Sequence, residues 1–292
     1  MSAMLLVLLA ASALAQESLP SFPDPCTSIG VGTWSVDLGE GDPALAGRSA
    51  VVYLPTTAAP ADTRSAIVAL HGGNDTPMGF VADADLARAA DAAGAVLIAA
   101  RGTGDRLSWH AGDGCCGGTD ALGGDDVAYL DALAHLARTE LCASHVLGIG
   151  FSAGGMMAHR WGWEGSEVDA VVSLAGPLLV LDDTPGPLPV WHLHGNADAQ
   201  VPEGGREETL DERGYPSAEM VVEDVWCARN GCDLGAHADT ESGRYFCSSW
   251  PGEADTRRCT IDGLDHAWLR PDPEFGPLAD AAIRWFDGLW ED

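Results

Sequence analysis

The chain has 292 residues and a formal net charge of −29, with 44 acidic residues against 15 basic ones. All 15 basic residues are arginine, which excludes a lysine Schiff base, lysine-linked pyridoxal phosphate and a Walker A phosphate loop. So acidic a surface repels nucleic acid and anionic lipid, and we expect neither as a partner. The acidic residues are spread along the chain, which indicates a strongly solvated surface and no acidic docking tail.

The first element is an apolar segment, residues 5–14, that predicts an export signal. It ends in Ala13-Leu14-Ala15 before Gln16, the small-x-small pattern of a signal-peptidase site. The segment is too short to span a bilayer, and no later apolar run is long enough. We therefore predict that residues 1–15 are a signal peptide, that residues 16–292 form a single α/β domain, and that the protein is secreted or periplasmic.

Apolar and helical patterns alternate along the rest of the chain. Strands are predicted at residues 49–54, 66–70, 95–99, 146–149, 170–174, 190–193 and 258–261. Helices are predicted at residues 80–93, 125–139, 153–163, 217–228 and 278–290. The strands are continuous apolar runs, typical of a sheet that is covered on both faces. The fold class is therefore α/β, a doubly wound, mostly parallel sheet with helices on both faces and its site at the carboxyl ends of the strands.

The sequence Gly150-Phe151-Ser152-Ala153-Gly154 lies between a predicted strand and a predicted helix. A G-x-S-x-G motif in that context presents a serine on a sharp turn, where only small flanking residues avoid a clash. Ser152 is thus the candidate nucleophile, and the Ala153 amide at the helix N-terminus is a candidate oxyanion donor. The alternative is a glycine-rich turn that only packs a helix on a sheet.

A serine nucleophile needs a histidine base and a carboxylate that orients the base, in the chain order serine, acid, histidine. Asp198 follows the strand at 190–193, and His266 follows the strand at 258–261, so the required order is present. Taken singly, Asp198 fits an ordinary turn aspartate and His266 fits an exposed loop histidine. Asp262 and Asp265, close to His266 in sequence, are alternative acids.

Two further groups of residues bear on this site. Glycines follow the strand at 66–70, and the amide of Gly73 is the candidate second oxyanion donor, with a plain turn as the alternative. We interpret His159 as a packing residue, and His192 and His194 as buried strand residues with hydrogen-bonded rings.

Eight cysteines in an exported chain predict disulfides. The sequence does not determine their pairing, but Cys142 is a plausible partner for one of the adjacent Cys115 and Cys116. The last four cysteines are expected to pair among themselves: Cys227, Cys232, Cys247 and Cys259. A zinc site at Cys227, Cys232 and His237 is the alternative, but the second ligand pair that it needs is missing, so no metal is expected.

Several segments together resemble one known family, the polyhydroxybutyrate depolymerase and feruloyl esterase type of α/β-hydrolase, or LpqC-like esterases. In chain order the resemblance rests on Leu70-His71-Gly72-Gly73, residues 109–117 with Cys115-Cys116-Gly117, Asp125-Asp126-Val127, residues 150–155, residues 194–202 and His266-Ala267-Trp268. It implies the α/β-hydrolase fold and a triad of Ser152, Asp198 and His266.

This resemblance leads to the expectation of a secreted serine esterase that acts on short polyhydroxyalkanoate oligomers or feruloyl-type aromatic esters. Trp109 and Trp268 are candidate substrate contacts, with core or rim packing as the alternative for each. We expect no cofactor and no obligate protein partner. The alternatives are a secreted binding protein without turnover and a small serine peptidase.

Overall fold

The computed structural model describes residues 8–10, 32–39, 45–112, 115–116, 125–181, 186–206, 214–268 and 277–291. In this part of the chain an 11-stranded sheet forms the centre of the molecule. Its strands are β1 (Leu8–Ala10), β2 (Gly32–Asp37), β3 (Ser49–Leu54), β4 (Ser65–Leu70), β5 (Val96–Ala100), β6 (His145–Phe151), β7 (Ala170–Leu174), β8 (Val190–Gly195), β9 (Ala238–Ser242), β10 (Tyr245–Trp250) and β11 (Thr256–Ile261).

The strand order across the sheet is β1-β2-β3-β5-β4-β6-β7-β8-β11-β10-β9. The central strands from β5 to β11 in that order are parallel, and the strands at both edges are antiparallel. The parallel region places the carboxyl ends of β4, β6, β8 and β11 at one edge. This is where an open α/β sheet carries its site.

Helices cover both faces of the sheet, as the sequence predicts. They are α1 (Pro77–Asp83), α2 (Leu86–Ala93), α3 (Asp126–Glu140), α4 (Ala153–Glu164), a π-helix (Met220–Trp226) that continues into α5 (Cys227–Asn230), a 3₁₀ turn (Leu234–Ala236) and α6 (Leu278–Asp287). One buried cluster joins the sheet to α3, α4 and the π-helix, and a second joins it to α1, α2 and α6. In β4, Val68 belongs to the first cluster and Ile67 to the second, which explains the continuous apolar run.

The helix predicted at 80–93 is two helices. Asp85 has a φ of 55°, in the left-handed region that a helix does not continue through, so α1 ends before it and α2 begins after it. Thr76 caps α1 by accepting a hydrogen bond from the Gly79 amide. The predicted helix at 217–228 is also different, because most of it is the π-helix Met220–Trp226.

The strands that the sequence did not predict lie outside the parallel region. Every residue of β9 is exposed and β2 is mostly half-buried, so neither has the apolar run that marks a central strand. β1 lies within the predicted signal peptide and pairs with β2. Cleavage after Ala15 would remove this edge strand and leave the parallel strands unchanged.

The cysteines pair partly as predicted. Disulfides join Cys227 to Cys232 and Cys247 to Cys259, so the last four cysteines pair among themselves and these sulfurs are not zinc ligands. Cys115 is joined to Cys116. The expectation that Cys142 bonds to one of these two is wrong, because their sulfurs are already taken; Cys142 is disulfide-bonded elsewhere. No helix in the described ranges is long and apolar enough to cross a membrane.

Candidate active site

Ser152 lies at a tight turn between β6 and α4. Its φ of 55° and ψ of −122° are unusual for a residue with a side chain, and such backbone strain concentrates at functional sites. A Cβ atom on Gly150 would lie 2.1 Å from the Gly154 carbonyl oxygen, and one on Gly154 would lie 2.0 Å from the Leu70 oxygen. The turn therefore requires both glycines of the motif, as predicted.

Three side chains from separate strand ends meet at this turn. Nε2 of His266 lies 2.9 Å from Oγ of Ser152, and Nδ1 of His266 lies 2.6 Å from Oδ2 of Asp198. Ser152 follows β6, Asp198 follows β8, and His266 follows β11. The parallel alignment of β6, β7, β8 and β11 brings these loops to one edge, although the residues are far apart in sequence.

Asp198 is held in a fixed orientation and is 5% exposed. Its Oδ1 accepts hydrogen bonds from the amides of Gln200 (2.9 Å) and Val201 (2.8 Å), which leaves Oδ2 for His266. Burial alone raises the pKa of the Asp198 carboxyl, but the N–H groups of His194, His266 and Val201 outweigh burial and lower this pKa to about 2. The carboxylate is therefore ionised at neutral pH.

The loop after β4 lies opposite the serine and is rigidly held. The Trp109 indole donates to the His71 carbonyl oxygen over 2.8 Å, and the Gly102 amide donates to Nε2 of His71 over 3.0 Å. Burial lowers the pKa of His71, so the ring is neutral and its Nδ1–H faces the Gly72 oxygen at 2.8 Å. These contacts fix Gly73 beside Ala153: a Cβ on Gly73 would lie 3.8 Å from the Ala153 Cβ.

An open cavity of about 370 Å³ lies above Ser152. Its described lining consists of Gly73, Asn74, Arg106, Ser108, Cys115, Cys116, Ser152, Ala153, Met156, Gln200, Val201 and Tyr215. Both predicted oxyanion donors, Gly73 and Ala153, are in this lining. One wall is rich in sulfur, because Sδ of Met156 lies 3.4 Å from Sγ of Cys115 and 3.7 Å from Sγ of Cys116.

The structure does not place the two tryptophans at the cavity. Trp109 is fully buried and supports the loop that carries Gly73, so the packing alternative fits it and the predicted substrate contact does not. Trp268 is 8% exposed and packs edge-on against Phe80 and Phe151, and Phe151 in turn contacts His266. Neither indole is among the described cavity residues. Both side chains are large apolar surfaces, and sequence alone does not distinguish a rim position from a core position.

The two alternative acids lie on the surface. Asp265 is exposed, and Asp262 is exposed and accepts a hydrogen bond from Asn196 over 2.9 Å, so neither alternative acid takes the place of Asp198.

Other details of the site lacked a sequence signal. Arg106 and Tyr215 line the cavity from distant loops. The adjacent cysteines were noticed as disulfide candidates, and their position in the cavity wall depends on tertiary structure alone.

Comparison with curated proteins and family models gives a limited relationship. No family model matches the chain. The chain is 29% identical over 258 residues to a protein named "Putative esterase NocK" from Nocardia uniformis subsp. tsuyamanensis, and the match covers 77% of this chain and 72% of that protein.

Solved structures give a broader likeness. An acetyl xylan esterase from Aspergillus awamori has a TM-score of 0.62 at 15% identity, and covers 87% of this chain and 98% of its own. An S-formylglutathione hydrolase from Agrobacterium tumefaciens has a TM-score of 0.54 at 12% identity, over 89% of this chain and 97% of its own. Esterase PE8 has a TM-score of 0.52 at 19% identity, over 81% of this chain and 96% of its own. At these identities the likeness concerns architecture, and together with the sheet topology it establishes that the chain has the α/β-hydrolase fold.

Proposed function

We propose that this protein is a serine hydrolase that cleaves carboxylic esters through an acyl-enzyme. The observation that carries the proposal is the continuous contact from Ser152 Oγ through His266 to the buried Asp198, at 2.9 and 2.6 Å, at the edge of an open cavity. A hydroxyl is a weak nucleophile at neutral pH, and this arrangement supplies the base and the orienting carboxylate that activate it.

The reaction proceeds in two half-reactions of the same kind. His266 Nε2 takes the proton of Ser152 Oγ as that oxygen attacks the ester carbonyl, and the amides of Gly73 and Ala153 donate to the resulting oxyanion. Collapse of the intermediate breaks the bond to the alcohol oxygen, which leaves with the proton from His266. Water then attacks the acyl-serine with the same base, and the acid product and free serine are released.

Asp198 has two roles in this scheme. Its Oδ2 accepts the Nδ1–H of His266, so that Nε2 is the nitrogen that faces the serine. Its negative charge stabilises the imidazolium that forms when His266 takes the proton. Because the pKa of the carboxyl is about 2, Asp198 supplies this charge over the whole neutral and mildly acidic range.

Short hydroxyalkanoate oligomers and feruloyl-type aromatic esters are the proposed substrates, based on the motif resemblance. The names of the similar proteins, a putative esterase and an acetyl xylan esterase among them, also favour ester chemistry.

We propose in addition that residues 1–15 direct export, because the cysteine pairing found here is typical of oxidising compartments.

A panel of p-nitrophenyl esters, methyl ferulate and hydroxybutyrate oligomers tests the proposal. We expect turnover on at least one ester and a burst of p-nitrophenol equal to the enzyme concentration under conditions where deacylation is slow. A binding protein on the same scaffold would give neither turnover nor a burst. A small peptidase would also hydrolyse activated esters, so peptide p-nitroanilides are assayed beside the panel. Cleavage of these amides faster than of methyl ferulate and the hydroxybutyrate oligomers would favour the peptidase.

A further inference from the structure

Three buried histidines form a hydrogen-bonded chain that ends beside Asp198. His159 Nε2 lies 2.9 Å from His192 Nδ1, and His192 Nε2 lies 3.1 Å from His194 Nδ1. His159 is on α4, and the other two are on β8, all at most 1% exposed. At the far end the Trp226 indole N–H donates to His159 Nδ1 over 3.0 Å.

At the near end the chain reaches the loop that carries the triad acid. His194 Nε2 lies 2.7 Å from the Val201 carbonyl oxygen and 3.6 Å from Oδ2 of Asp198. The first distance is a hydrogen bond and the second is a close electrostatic contact. Val201 also donates its amide to Oδ1 of Asp198, so His194 contacts both the carboxylate and a residue that orients it.

The partners at the two ends of this histidine chain determine which nitrogen of each ring carries the proton. An indole N–H only donates, so His159 Nδ1 is an acceptor, and a carbonyl oxygen only accepts, so His194 Nε2 carries a proton. A neutral imidazole has one donor and one acceptor nitrogen. All three rings therefore carry their proton on Nε2, and each N–H is directed along the chain toward Asp198.

The surroundings keep His159 and His192 neutral. Burial, with a further contribution from His194, lowers the pKa of His159 to about 3, and burial lowers the pKa of His192 well below its usual value. Arg258 of β11 faces His192 and adds to this effect.

The remaining charged groups near the three histidines have partners of their own. Glu223 of the π-helix pairs with Arg258 at 2.8 Å, and Glu203, beyond the Asp198 loop, accepts a hydrogen bond from Thr260. Asp198 and His266 are paired in the triad. No other described carboxylate is paired with the three rings, which act as neutral dipoles in series.

We propose that the histidine chain, with His194 as its last member, positions the triad acid. The histidine chain holds the loop of Asp198 through Val201 and directs a series of aligned N–H dipoles toward the carboxylate. These dipoles keep the carboxylate ionised and directed at His266. This inference rests on the proposed ester hydrolysis. The three histidines and Trp226 are positioning residues, since they act through Asp198 and do not line the described cavity.

Two substitutions at His194 test the near end. His194→Leu removes the donor, and we expect kcat on a p-nitrophenyl ester to fall roughly 10- to 100-fold with KM little changed. The acid limb of the kcat/KM profile should move to higher pH, because a carboxylate with fewer donors holds the protonated form of the base more strongly. His194→Gln, whose amide can donate to the Val201 oxygen, should recover most of kcat. His145→Leu, at the opposite end of the sheet, is the control.

Trp226→Phe tests the far end, because it removes the donor that sets the direction of the chain without touching Asp198. We expect a smaller loss of kcat and the same direction of pH shift. If folded His194→Leu and Trp226→Phe lose only thermal stability and keep the wild-type kcat and pH profile, the histidines are structural and the proposal is overturned.

A measurement on the wild-type protein can still refute the proposal if both variants fail to fold. Nitrogen NMR of the imidazole rings at pH 7 should show three buried neutral rings protonated on Nε2, and any of them protonated on Nδ1 or on both nitrogens contradicts the proposal. Ester turnover by the wild type and its loss in Ser152→Ala test the proposed function separately, so the two can fail independently.

Discussion

The two edges of the parallel sheet that are formed by the carboxyl ends and by the amino ends of its strands use polar side chains for different purposes. At the carboxyl ends of β6, β8 and β11, Ser152, Asp198 and His266 contact one another beside an open cavity. At the amino ends, the charged groups are paired with neighbours that join helices to strands. Arg138 of α3 contacts Asp169, just before β7, at 2.6 Å, and Asp169 also accepts the Val146 amide at 2.6 Å.

This difference follows from how parallel strands are connected. Each strand in the middle of the sheet leaves its carboxyl end through a loop, and these loops are free to vary because helices and not hairpins connect the strands. The amino ends receive chain from the preceding helices, and their polar groups satisfy helix ends and strand amides. Substitutions at the carboxyl edge should therefore affect turnover, and those at the amino edge should affect stability.

The largest effect is expected from Ser152→Ala. This change should lower ester turnover on the order of 10⁴-fold or more, because the nucleophile and its base act as one unit. The side chain lies at the cavity and not in a packed core, so the thermal midpoint should change little. Steady-state rates and a thermal melt on the same preparation check both points. Wild-type turnover in this variant would refute the assignment of the nucleophile.

Asp198→Asn should lower kcat by roughly 10³- to 10⁴-fold, because an amide favours the wrong tautomer of His266. The matched control is Asp265→Asn, since Asp265 is one residue from His266 and is exposed. We expect this control to keep wild-type kinetics. The acid would be assigned wrongly if Asp265→Asn proved the more damaging of the two.

The same contrast explains what the sequence could predict. The strands of the parallel region are continuous apolar runs because both faces are covered, and they were predicted to within about two residues at most ends. Motif order at strand ends selected Ser152, Asp198 and His266 as candidates, and the structure brings these three residues into contact. The exposed β9 and the break at Asp85 have no apolar pattern, and the pairing of Cys115 with Cys116 and the burial of Trp109 depend on contacts that only the folded chain defines.

The disulfide between Cys247 and Cys259 joins β10 to β11. It lies part-way along the two strands, between the carboxyl-end and amino-end edges of the sheet. Cys247→Ser should lower the free energy of unfolding by roughly 2–4 kcal/mol, because the disulfide no longer restricts the conformations of the unfolded chain. Cys227→Ser is the comparison, and its effect should be smaller because that bridge spans 5 residues instead of 12. Denaturant melts measure both. Because β11 leads to His266, we also expect a modest loss of kcat in Cys247→Ser alone, and equal kinetics in the two variants would argue against that link.

At the amino edge, Asp169→Asn should lower the free energy of unfolding by about 1–3 kcal/mol, because it weakens the contact with Arg138 and the hydrogen bond from Val146. The kcat and KM on a p-nitrophenyl ester should stay at the wild-type values. Together with Ser152→Ala, this variant tests the division between the two edges directly. A drop in kcat without loss of stability would show that the edges are not independent.

The smallest predicted effect concerns the charge at the cavity. Arg106 is the only basic residue among the described cavity residues, and its side chain has no ion pair within the part of the chain that the structure describes. In a protein with a net charge of −29, it is the group that can offset the repulsion of an anionic substrate. Arg106→Gln should therefore lower kcat/KM for an ester with a carboxylate by roughly 5- to 10-fold, the effect of about 1 kcal/mol of solvent-screened attraction. The matched neutral ester should be unaffected, and added salt should reduce the difference between wild type and variant. Equal losses on the charged and the neutral ester would mean that Arg106 shapes the cavity and does not select charge.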